Sequence, residues 1–231
     1  DAHYIENVVS LSSRNGEYPV FASKKGMNIQ LMSDAQQLGV SHTVITVKYN
    51  EYLRTAPLAQ QTTEFSYLGE TYYFDLDKIE KLDYRIRTYT EAGIHVYLNL
   101  VLGAPGADQS EDLECLYADP NGKVASLYAL NTSNRYAVQY YEAVVAYLAE
   151  RYTDNSRKNG FAASFIVGYE VNSNRYWNYA GDMALDAYVD SYATVFRITD
   201  TALRSVYAAG RTYLSLANNV TAKSSKLTLV G

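Results

Sequence analysis

Four times along this chain a helical stretch with one apolar face leads into a short apolar strand, and that repeated unit limits the folds open to it. Residues 27–38 put Leu31, Met32, Ala35 and Leu38 on one helical face, and Gly39 is placed to end the helix before "HTVITVKYN" (42–50), a β-branched strand. Asp77 followed three residues later by Glu80 has the pattern of a capping box. Ile79, Leu82, Ile86 and Tyr89 form the stripe of that second helix, Gly93 stops it, and "HVYLNLVLG" (95–103) follows as a strand. A third helix is expected from about Ser133, with Ala137, Tyr141, Val144, Leu148 and Tyr152 at helical spacing. It leads through "TDNSRKNG" to a strand over 164–171. The fourth carries Tyr188, Tyr192, Val195, Thr199, Ala202 and Val206, stops at Gly210 and delivers "RTYLSLAN" (211–218).

Strands that alternate with long helices predict a parallel sheet covered by helices, with strand cores buried on both faces. The polar residues gather at the carboxyl ends of the strands: Lys48, Tyr49 and Asn50; Asn99; Glu170 and Asn172; Ser215, Asn218 and Asn219. A dinucleotide-binding sheet also binds there, but it carries a glycine-rich turn after its first strand, and neither "VKYNEYL" nor "LNLVLGAPGA" has one. The expected fold is therefore α/β, a TIM-type (β/α) barrel with its active face at the strand carboxyl ends. Two long connections follow strands and are expected to overhang that face. Residues 51–76 read as a hairpin around Leu68–Gly69. Residues 103–132 hold an acidic cluster, Asp108, Glu111, Asp112 and Glu114, which lacks the spacing of a calcium loop and reads as a solvated surface.

The totals exclude several functions. The 231 residues fit one domain, 1–231, and the net charge of −5 argues against a nucleic-acid partner. No stretch has the length and apolarity of a membrane span. Cys115 is the single cysteine, so no intrachain disulfide forms. The opening "DAHYIENVV" does not read as a secretory leader, as expected of a mature secreted chain or a trimmed one. No P-loop and no G-x-S-x-G elbow occurs, and His42 and His95 begin strands without metal-ligand spacing. Neither cofactor nor metal is expected.

"FIVGYEVNS" (165–173) is the most informative stretch, because an apolar strand there delivers the carboxylate of Glu170. Cleavage of a glycosidic bond needs one carboxyl group that holds its proton, and apolar walls such as Phe165, Ile166, Val167 and Trp177 favour the protonated form. Tyr176 and Trp177 can stack on a sugar face. Asn172, Asn174 and Asn178 can bond hydroxyls, Tyr169 can donate one hydrogen bond, and Lys48, Asn50 and Asn99 are the other strand-end groups available to a substrate. The 24 tyrosines against six phenylalanines suit sugar-holding surfaces, though packing of helices on the sheet explains most of them better. A structural role for Glu170, paired with Arg175, is the competing reading.

The order of elements resembles clan-A glycoside hydrolases, in which the acid/base Glu ends the fourth barrel strand after an Asn. With "YPVFA" (18–22) as first strand, 42–50, 95–103, 164–171 and 211–218 become the second to fifth. The stretches "SKKGMNIQLMSDAQQLGV", "GETYYFDLDKIEKLDYRI", "YLAERYT" and "FIVGYEVNSNRYWNYAG" are also similar to a bacterial family of uncharacterised, glycosidase-like TIM-barrel proteins. This resemblance implies a retaining glycoside hydrolase acting on a carbohydrate, with Glu170 as general acid/base, at the cell surface or secreted. Tyr169 stands where the clan has its Asn. The clan's nucleophile, a Glu on the seventh strand, has no counterpart in "NNVTAKSSKLTLVG", which offers one strand, Lys226 to Val230, and no Glu. The expectation is a barrel with about five of eight strand–helix units, a fragment or a shortened relative. A non-catalytic carbohydrate-binding relative and a scaffold domain with a structural Glu170 are the alternatives.

Overall fold

The computed structural model describes residues 12–106, 109–122 and 125–217. In chain order they form α1 (Met32–Gln37), β1 (His42–Lys48), α2 (Tyr49–Tyr52), β2 (Leu53–Arg54), β3 (Thr62–Tyr67), β4 (Glu70–Asp75), α3 (Leu76–Glu91), β5 (His95–Gly103), β6 (Leu127–Tyr128), α4 (Arg135–Tyr152), β7 (Ser164–Val167), α5 (Asn174–Trp177), α6 (Leu185–Val206) and β8 (Arg211–Leu214). Short 3-10 turns cover Glu111–Leu116 and Val171–Ser173.

The main sheet has the order β1-β5-β7-β8, all parallel, with β6 added antiparallel on β5. Each parallel crossover advances one strand in the same direction. Right-handed crossovers then place α3, α4 and α6 on one face of the sheet. That face carries Ile45 and Val47, Leu98 and Leu100, Phe165 and Val167, which share one core with Ile79, Leu82 and Ile86 of α3 and with Tyr141, Val144 and Leu148 of α4. At about 1.5–3 kcal/mol for each fully buried aliphatic or aromatic side chain, this layer is the principal favourable contribution to folding. Asp83 ties two of the helices together. It is buried, accepts Arg151 Nε at 2.7 Å and Nη2 at 2.5 Å, and accepts Tyr152 Oη at 2.9 Å.

The barrel expected from the sequence is not formed. The described residues make an open sheet with β1 and β8 as its two edges, and these strands do not pair with each other. Residues 18–22, expected as a first strand, are not one. They cross the face opposite the helices, where Phe21 packs 4.9 Å from the ring of His95 and Tyr18 hydroxyl lies 2.9 Å from that of Tyr213. The expectation failed for a physical reason. A run of right-handed βαβ units has the same local pattern in an open sheet as in a closed one, and closure requires the first and last strands to meet, with consistent tilt and stagger. No local pattern encodes that meeting.

Other expectations fared differently. The stripe Ile79, Leu82, Ile86 and Tyr89 is buried, as are Ala137, Tyr141, Val144, Leu148 and Tyr152. The hairpin turns at Leu68 (φ 50°) and Gly69 (φ 87°), the two positive angles of a tight primed turn. The cap of α3 is Asp75, whose carboxylate accepts Lys78 N at 2.9 Å; Asp77 lies inside the helix and pairs with Lys81 at 2.6 Å. Of the first helical stripe only Ala35 is fully buried, while Leu31 and Leu38 are exposed. Asn218, Asn219 and the strand expected at Lys226 to Val230 lie outside the described residues, as does Asp108 of the acidic cluster.

His95 opens the central strand and is 8% exposed, with Nε2 2.8 Å from Ser164 Oγ. Burial, helped by neighbouring His42, pulls its imidazole from the ordinary 6.5 down to about 4. The unfolded chain therefore takes up this proton first. The stability that neutral His95 contributes is complete above about pH 6.5 and is lost as the pH falls through 4. Denaturant unfolding at pH 7, 5.5 and 4 should show a loss of about 3 kcal/mol from this group. In His95→Gln that part of the pH dependence should disappear.

Candidate functional site

Parallel sheets bind ligands at the carboxyl ends of their strands, so β7 and the turn after it define the candidate site. The last rung of β7 is Gly168, whose N donates to Leu100 O at 2.9 Å. The chain leaves the sheet there at φ 73°, and a Cβ on Gly168 would fall 2.7 Å from Val171 Cγ1, so only glycine fits. Two residues on, Glu170 is also left-handed, at φ 43° and ψ 50°. Glutamate pays about 1–2 kcal/mol for that conformation, and such strain accumulates at functional sites.

The turn is pinned on both sides. Glu170 N donates to Ser215 Oγ at 3.3 Å, Val171 N to Ser215 O at 3.0 Å, and Ser173 N to Glu170 O at 2.7 Å. Asn172 Oδ1 accepts Ala217 N at 2.7 Å. From α6, Tyr192 donates to Val167 O at 2.8 Å and Tyr188 donates to Val171 O at 2.7 Å. Asn178 Nδ2 donates to the same Tyr188 hydroxyl at 2.7 Å. Burial pushes the Tyr188 phenol up to about 12, so it remains a neutral donor at physiological pH.

The backbone of Glu170 is thus fixed while its carboxylate is left over. It does not cap the 3-10 turn that follows, and among the described residues it enters no ion pair or hydrogen bond. Arg175, the expected pairing partner, instead lies over the ring of Tyr176 at 5.7 Å. Tyr169 is 39% exposed and meets Trp177 edge to face, with centroids 5.5 Å apart and planes at 83°. Tyr176 beside them is 46% exposed. Behind Trp177, Gly168 and Tyr188 lies a cavity of about 30 Å³. It has room for a water molecule or two and is far smaller than a ligand pocket.

The other expected substrate-binding residues are placed differently. Asn50 is buried and tied into the scaffold. Its Oδ1 accepts Gly103 N at 2.8 Å and its Nδ2 lies 3.2 Å from Tyr117 Oη, which joins the ends of β1 and β5 to the loop beyond. Asn99 sits mid-strand between Thr46 and Ile166, is 3% exposed, and has no partner for Oδ1 among the described residues. Lys48 is half-exposed at the end of β1, with Nζ 3.7 Å from Glu51 Oε1. The structure therefore gathers Tyr169, Glu170, Asn172, Tyr176 and Trp177 around one turn, and leaves Asn50 and Asn99 within the sheet framework. Sequence reading assigned Tyr188 and Tyr192 to a packing stripe. The available signal was the choice of Tyr over Phe or Leu at buried i, i+4 positions, since a buried hydroxyl needs a partner.

In class, this is an α/β protein with a mainly parallel open sheet whose carboxyl edge carries Glu170, unpaired among the described residues, and the exposed rings of Tyr169 and Tyr176. The chain belongs to a family of unknown function (DUF5722), whose model matches residues 17–229. No curated protein and no solved structure gives a significant match.

Replacing Glu170 by Gly removes the left-handed penalty but adds chain entropy to the unfolded state. We expect Glu170→Gly to raise the unfolding free energy by about 0.5–1 kcal/mol in urea titrations. Glu170→Ala, which keeps a Cβ, should not gain.

Proposed function

We propose that this protein binds carbohydrate and acts as a glycoside hydrolase, with Glu170 as its general acid/base. One observation carries the reading: a strained backbone fixes Glu170 just past the carboxyl end of a central parallel strand, its carboxylate in no ion pair or hydrogen bond among the described residues, next in sequence to Tyr169, whose ring meets Trp177. A structural glutamate would be expected to use its carboxylate in a cap or an ion pair. A proton donor has to keep it available. In the first step the protonated carboxyl gives its hydrogen to the departing glycosidic oxygen while a second carboxylate bonds the anomeric carbon, and in the second the Glu170 carboxylate takes a proton from the water that displaces that carboxylate. With retained configuration, the partner carboxylate would stand about 5 Å away. The aromatic rings offer flat apolar faces to the C–H face of a sugar, and Asn172 and Asn178 offer amides to its hydroxyls.

A second reading is binding without turnover. It draws on Tyr169, which precedes Glu170 in the chain and turns its ring to Trp177.

Trp177 is the only tryptophan of the chain, so its fluorescence reports this site directly. Titration with a glycan panel should change its emission, and Trp177→Ala should weaken binding by about tenfold or more, measured calorimetrically. On the glycan that binds, Glu170→Gln should lower turnover by about 10²–10⁴-fold. The loss should be smaller on aryl glycosides whose leaving group needs no proton. Unchanged hydrolysis in Glu170→Gln removes the catalytic reading, and binding without hydrolysis by the wild type selects the second one.

A further inference from the structure

We infer that Tyr188 is the positioning residue of this site, a single hydroxyl that couples the aromatic surface to the turn that carries Glu170. Its oxygen makes two bonds at once. It accepts Asn178 Nδ2 at 2.7 Å, next in sequence to Trp177, and donates to Val171 O at 2.7 Å, next in sequence to Glu170. One helical turn later on α6, on the other side of the Gly168–Glu170 turn, Tyr192 holds Val167 O at 2.8 Å. Two tyrosines spaced i, i+4 on one helix face thus grip the carbonyls that bracket the strained segment.

The requirement for this grip follows from the backbone. Glu170 is left-handed without being glycine, and such a residue stays there only when its surroundings over-determine it. Ser215 fixes the turn from the β8 side through Glu170 N and Val171 N. From the helix side the turn has Tyr188 and Tyr192. Tyr188 is 2% exposed, so loss of its hydroxyl leaves the buried Val171 O without this donor. The link to Asn178 makes the arrangement directional. A ligand that shifts Trp177 moves Asn178 with it, and the shared hydroxyl passes that shift to Val171. The cavity of about 30 Å³ behind Trp177 leaves space for such a movement.

The role in catalysis rests on Glu170 being the proton donor; the coupling itself does not. Amide hydrogen exchange at Glu170, Val171 and Ser173 tests it, together with acrylamide quenching of Trp177. The variants are Tyr188→Phe, Asn178→Ala and a control, Tyr141→Phe, which removes the buried 2.7 Å contact with Thr199 between α4 and α6. Tyr188→Phe should speed exchange at the three turn amides about tenfold, the factor that one buried hydrogen bond controls. It should also open Trp177 to quencher. Tyr141→Phe should lower the melting temperature and leave both readouts alone. If Tyr188→Phe fails to fold, half-buried Asn178→Ala decides: faster turn exchange supports the coupling, and unchanged exchange overturns it. Equal effects of Tyr188→Phe and Tyr141→Phe on the turn also overturn it. Hydrolysis unaffected by Glu170→Gln would remove the acid and leave the coupling standing.

Discussion

Strand β5 is the member on which the rest of the sheet depends. It pairs with β1 over seven registered positions and with β7 over four, and it also carries the antiparallel β6. Such a strand is shielded on both edges and, along most of its length, on both faces, which is why "HVYLNLVLG" is nearly continuous in apolar residues. The few polar groups it admits carry consequences. His95 must stay neutral to be buried against Phe21 and Ser164, and Asn50 reaches across from the end of β1 to take Gly103 N, so that both strands end together.

The candidate site is what this framework leaves exposed at the carboxyl end of β7. Two left-handed residues, Gly168 and Glu170, reverse the chain within three positions. The glycine does so without strain. The glutamate does so because Ser215 on one side and the α6 tyrosines on the other hold the backbone in place. Rigid backbone and free carboxylate are complementary properties. Hydrogen bonds to the main chain of the turn fix where the side chain begins, and they leave the carboxylate outside that network.

Much of this architecture was legible locally. The stripes of α3, α4 and α6, the strands at 42 and 95, and the Leu68–Gly69 turn follow from periodicity and from residues that tolerate positive φ. Boundaries were less legible. Tyr49 and Asn50 continue the strand pattern but coil into α2, and Asp75 rather than Asp77 caps α3, because the hairpin strand β4 runs directly into the helix. The turn at Glu170 was read as strand to residue 171, since no sequence rule places a left-handed glutamate. Arg175 seemed a natural partner for Glu170 by sequence proximity, yet α5 carries it onto Tyr176.

The alternation of helix and strand, the parallel sheet, the buried stripes and the placing of Glu170 at the carboxyl end of an apolar run were encoded in the sequence alone. These depend on interactions between residues a few positions apart, and chain chemistry encodes them directly. Only the tertiary structure decided that the sheet is open, that Asn50 serves the scaffold, and that a tyrosine hydroxyl on α6 meets both Asn178 and Val171. Each of these is a contact between segments brought together by folding. Its geometry is set by how the helices settle on the sheet, and no spacing within the chain records it.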